Sequence, residues 1–182
     1  VLQPHQSQDV GEVNGETISA QDFQALVEEY TEVVKFSSGL NALSDEQTNQ
    51  IKDEVWRAYV NNKLIENEAE KLGLTVSKAE LQAIIDAGVH PMLQQTQFRN
   101  PQTGAFDKDM LKKFLVDYSK MNKAQMPAQY AEYYNSMYNF WSFVEKSRIQ
   151  ARLQEKYQAL ITKSLFSYPV AAEDAFNARV EQ

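Results

Sequence analysis

The sequence predicts a mainly α fold with a small N-terminal β-hairpin and a long C-terminal helix. Glycine and proline are scarce, with six and five copies in 182 residues, which leaves few breakers for an all-β chain. Apolar residues recur at helical spacing through most of the length. One short stretch breaks that rule. Residues 10–23 read Val-Gly-Glu-Val-Asn-Gly-Glu-Thr-Ile-Ser-Ala-Gln-Asp-Phe. Asn14-Gly15 is the dipeptide that a tight type I′ turn requires, and Val10, Val13 and Ile18 are the β-branched residues flanking it. A hairpin this small is barely stable alone, so a helix or another extended segment must cover it.

The remaining elements follow in order. Residues 1–9 are polar, contain Pro4, and read as a flexible lead-in to a helical domain over 10–182. Ser19 with Asp22 three positions on opens a helix whose apolar face is Phe23, Leu26, Val27, Tyr30, Val33 and Val34. Ser37-Ser38-Gly39 ends it. Ser44 with Gln47 opens a longer helix carrying two stripes, one through Ile51, Val55, Ala58, Tyr59 and Asn62, the other through Trp56, Val60 and Leu64. Two stripes make a wide face, so this helix sits between neighbours. Gly73 is its C′ residue, with Leu74 as the apolar follower. Ser77 and Glu80 start a shorter helix through Leu81, Ile84 and Ile85. Residues 88–106, punctuated by His90-Pro91 and Asn100-Pro101, read as an irregular insert. Asp107 caps the next helix, with Met110, Leu111, Phe114, Leu115 and Tyr118. From Ala128 to about Leu165 there is neither glycine nor proline, hence a long helix over 128–165, or two abutting ones; Pro169 is expected to end it, and 173–180 to form another short one. Helices one, two and the long helix should build the core.

Composition narrows the function. The net charge of −7 argues against nucleic acid, which needs a basic surface. With no cysteine, thiol nucleophiles, thiolate metal sites and disulfides are excluded. No apolar run approaches the roughly 18 residues of a membrane span. Asp86 and His90 stand four apart without a third converging ligand, and the carboxylates Glu66, Glu68 and Glu70 read as a solvated helix face, so no metal or cofactor is expected. No serine or tyrosine hydroxyl has a visible base partner, and no nucleotide motif is present.

Three pieces of the chain, in order, resemble one family. Val10-x-x-Val13-Asn14-Gly15-x-x-Ile18-Ser19-x-x-x-Phe23 is similar to the opening of the SurA/PpiD-type periplasmic folding factors. Leu64-Ile65-x-x-Glu68-Ala69-x-x-Leu72-Gly73-Leu74-x-Val76-Ser77-x-x-Glu80-Leu81 resembles their second signature. Thr103-Gly104-Ala105-Phe106-Asp107 is similar to the turn before the next helix in PpiD-like members. The resemblance implies a periplasmic, helical, ATP-independent chaperone module that binds unfolded or partly folded polypeptide clients. It also implies a parent carrying a parvulin-type peptidyl-prolyl cis-trans isomerase domain and an inner-membrane anchor upstream. The two histidines, His5 and His90, and the lack of a Gly-rich strand leave no parvulin site in this segment, which is therefore read as non-enzymatic. A start at Val1 and an end at Gln182 without closure are read as marks of a longer parent. Homo-oligomerisation stays open.

On that reading the client-binding candidates are Tyr130, Tyr133, Tyr134, Met137, Phe140 and Trp141 on the long helix, with Met92 and Phe98 as lips of the irregular insert. Tyr and Trp supply large contact area at low rotamer cost, and Met adapts to irregular shapes. Two readings stand side by side. Aromatic stripes at helical spacing are more often core, and Phe98 and Phe106 can equally staple the insert to that core. The alternative function is a structural scaffold or dimerisation module that positions a downstream isomerase domain. A scaffold buries the 130–143 aromatics; a chaperone leaves an apolar patch of several hundred Å² open.

Overall fold

The computed structural model describes the backbone of residues 9–13 and 15–180, with side chains through Ser164 apart from Lys123. The lead-in over 1–8 and the turn residue Asn14 lie outside the described residues. Asp9, assigned to that lead-in from sequence, is the first residue of a strand.

That strand, β1 (Asp9–Val13), pairs antiparallel with β2 (Glu16–Ser19). Gly11 faces Ile18 across the ribbon and Val13 lies two residues along, while the register shifts between Asp9 and Gly11. Val13 and Ile18 are buried and Val10 is exposed. The cover that the hairpin needs is Trp56: a Cβ placed on Gly11 would meet its indole at 2.3 Å. Lys63 adds an ion pair to Glu16 at 3.0 Å. Gly11→Ala should therefore lift the ribbon off its helix and destabilise the fold by about 1–3 kcal/mol, the usual range for overpacking. Urea denaturation measures it, and an unchanged midpoint would show that Trp56 moves aside freely.

Local signals set the helices. In α1 (Ala20–Ser38) the Asp22 N–H donates to the Ser19 hydroxyl, which in turn donates to the Asp22 carboxylate at 2.7 Å. The box at the start of α2 (Asp45–Lys71) is complete, Ser44 and Gln47 each satisfying the other's backbone N–H. Its end is a Schellman motif: Gly73, at φ 66°, lets its own N–H reach the Glu70 carbonyl and the Leu74 N–H reach that of Ala69. Next come α3 (Lys78–Ala87), the single turn α4 (Pro91–Gln94), α5 (Lys108–Lys120) and α6 (Ala128–Val180). The last is longer than the 128–165 expected, running through Pro169 and absorbing the short helix read over 173–180. An interior proline costs about 3 kcal/mol, yet the helix continues past Pro169.

The main core gathers around α6. Phe140, Trp141 and Val144 meet Val33 of α1, Leu81 and Ile85 of α3, Leu111 of α5, and Leu93 and Phe98 between α3 and α5. A second cluster, Val27, Ile51 and Val55, joins α1 to α2. The 88–106 stretch is thus an ordered part of the core. Gln94 ties both its ends together, donating to the Gly88 carbonyl and accepting from the Phe106 N–H, while Asp107 N–H donates to the Phe98 carbonyl.

His90 starts α4, its Nδ1 accepting the Met92 N–H, and its Nε2 touches the guanidinium of buried Arg148. Burial, then the Arg148 charge, hold its pKa below the ordinary 6.5, with Glu155 pulling weakly the other way. The folded chain then binds fewer protons than the unfolded one. The associated stability is whole above about pH 6.5 and shrinks as pH falls. Nearby Glu80, hydrogen-bonded by Lys156 and then Arg152, is held below the ordinary 4.5, so its contribution is lost only at more acid pH. The thermal midpoint should drop between about pH 7 and pH 5.5. His90→Asn, which keeps a capping acceptor, should flatten that drop; an equal slope in the variant would assign it elsewhere.

Candidate functional site

Helices α1 and α6 run antiparallel and are pinned together by Glu29–Lys146 at 2.7 Å and by the Tyr30 and Phe143 rings, 5.4 Å apart. α2 packs against both, and the facing residues include short side chains, Ala58 on α2 and Ser147 on α6. A groove of about 620 Å³ remains. Leu26, Tyr30, Val55, Tyr59 and Phe143 give it apolar walls, and Glu29, Glu54, Lys63, Glu66 and Lys146 form a charged rim. Lys63 bridges Glu16 and, at 3.9 Å, Glu66, which also accepts from the Gln150 amide. The hydrogen bond from Lys63 to Glu16 is the main reason its pKa is raised. Tyr30 donates to Glu54 at 3.0 Å; burial first, then that carboxylate, push the phenol pKa up, so it stays a neutral donor.

Such a trough offers shape, apolar surface and hydrogen-bonding edges. Among the described residues no group of three or more His, Asp or Glu converges as a metal site. Asp86 is occupied by Lys112 and Gln82, and His90 by its helix cap.

The residues singled out from the sequence separate into three sets. Phe98, Phe140 and Trp141 are 3%, 5% and 3% exposed, and so lie in the core. Their rings are held by neighbours, Phe98 edge-on to Trp141 and Phe140 against Phe36 of α1. Met92, Tyr134 and Met137 are half-buried. Tyr134 stacks on Phe114. Tyr130 and Tyr133 are 54% and 49% exposed, and Tyr133 leans on Phe36, so it caps an aromatic network that continues inward. The groove brings together residues that sequence reasoning left among the helix faces. The signal that could have found it was the doubled stripe of α2.

A helical body fronted by a short hairpin carries an open, partly apolar trough. The family model for the SurA-like N-terminal domain matches residues 1–115 of the 182, and the chain belongs to that family. The match spans the hairpin and α1 to α4 and stops within α5, so the α6 wall of the groove lies beyond it. No curated protein and no solved structure matches the chain. No helix among the described residues is long and apolar enough to cross a membrane.

Proposed function

We propose that this chain holds unfolded or partly folded polypeptides in the α1–α2–α6 groove, without nucleotide, as the N-terminal part of a periplasmic folding factor. The observation that carries the reading is the apolar trough left open in a member of the SurA-like N-terminal family. A monomer gains nothing from leaving Tyr30, Tyr59 and Phe143 partly in contact with water, whereas an extended client segment covers them. Tyr133, leaning on Phe36 further along the α1–α6 seam, and exposed Tyr130 offer a second point of contact, with half-buried Tyr134 and Met137 on the same helix. Two weak contacts on one chain give avidity with fast exchange, as passive release requires. A parvulin-type isomerase domain and an inner-membrane anchor in the parent complete the proposal; this segment itself is non-catalytic. Burial of Phe98, Phe140 and Trp141 is what a scaffold would also show, so the experiment must separate the two. Aggregation of a chemically denatured client is followed by light scattering with the wild type, with Ala58→Trp, which plugs the groove, and with Tyr130→Ser/Tyr133→Ser. A chaperone suppresses scattering and loses that ability in the plugged variant. A scaffold leaves scattering unchanged in all three.

A further inference from the structure

We infer that the groove selects client segments in which a basic residue sits among apolar ones, and that Glu54 is the residue that selects them. The inference rests on the client-holding reading above and names the class of client. The rim carries three carboxylates, Glu29, Glu54 and Glu66, against two ammoniums, Lys63 and Lys146. Lys146 is engaged by Glu29 at 2.7 Å, and Lys63 is shared between Glu16 and Glu66. Glu54 is the rim carboxylate left without a cation among the described residues; its hydrogen bond comes from the Tyr30 phenol. That phenol leaves carboxylate lone pairs free and places an aromatic ring beside them, backed by Phe143. A lysine or arginine entering here can lay its methylene stem along the apolar wall and bring its charge to Glu54. The ring adds a cation–π contact. An acidic segment would instead meet an uncompensated like charge on a chain of net charge −7.

The test uses three fluorescein-labelled unfolded peptides with the same Leu, Ile and Phe content and Lys, Gln or Glu at one central position, titrated with the chain and read by anisotropy. The Lys peptide should bind about threefold tighter than the Gln peptide, the scale of one exposed ion pair, and the Glu peptide more weakly than either. The difference should shrink as salt is raised and close in Glu54→Gln, an exposed change compatible with folding. Equal affinities for the three peptides, or a preference that survives Glu54→Gln, would overturn the inference and leave client holding intact. If none of the peptides binds, client holding in the groove fails and the inference falls with it. Affinity that drops as the chain's own concentration rises, with a dimer seen in sedimentation, would make a second copy the occupant and also overturn it.

Discussion

Trp141→Ala is expected to remove about 3–5 kcal/mol of stability, the range for deleting a large buried aromatic. A domain of this size has in total about 5–15 kcal/mol, so at ordinary temperature the variant should stand close to its unfolding transition. The magnitude follows from position. Trp141 is 3% exposed, sits edge-on to Phe98 at 6.0 Å, and belongs to the cluster that joins α6 to α1, α3 and α5. Removing the indole therefore loosens several elements at once and opens a cavity that none of them can close alone. Urea denaturation should show a much lower midpoint, whereas Tyr130→Ala, at a ring 54% exposed, should shift it by about 0.5 kcal/mol or less. A Trp141→Ala chain that keeps its midpoint but no longer holds client would return this residue to a binding surface and contradict the packing described above.

That contrast shows what the sequence could reveal. Ends of helices are local, and they were legible: Ser44 with Gln47, Ser77 with Glu80 and Gly73 with Leu74 cap the elements they announce. The hairpin was legible for the same reason, down to its need for cover. The fate of the aromatics in 130–143 was not, because it depends on partners far away in sequence. Phe140 goes inside because Phe36 reaches it from α1, and Trp141 because Phe98 does; Tyr133 touches the same Phe36 and still stays half in water. The one local hint was chemical: the phenols keep an edge in solvent, while the hydroxyl-free rings of Phe140 and Trp141 do not. The 88–106 stretch was legible as irregular, but whether Phe98 would staple it to the core was open between two readings, because that too depends on distant partners. Its prolines forbid long regular structure, but the Gln94 side chain and the buried Leu93 and Phe98 fix it as firmly as a helix would. The groove was hidden because a void is defined by what is missing, and Ala58 and Ser147 line one trough only when α2 packs against α6.

Filling that void gives the second large effect. Ala58→Trp should weaken client binding at least tenfold, about 1.4 kcal/mol or more, and abolish most aggregation suppression. Ala58 is exposed and lines the trough, so an indole there occupies the space a client side chain would take without displacing a buried neighbour. The cost to the fold is the helix propensity difference between Ala and Trp, roughly half a kcal/mol, offset by contact of the indole with Tyr59 or Phe143. The melting temperature should accordingly move by only a few degrees, which separates this variant from Trp141→Ala, where loss of activity would follow loss of structure. The competing pattern is equally definite. If Ala58→Trp holds client as well as the wild type and Tyr130→Ser/Tyr133→Ser does not, the contact surface is the outer tyrosine strip of α6, and the trough is only the gap where three helices diverge.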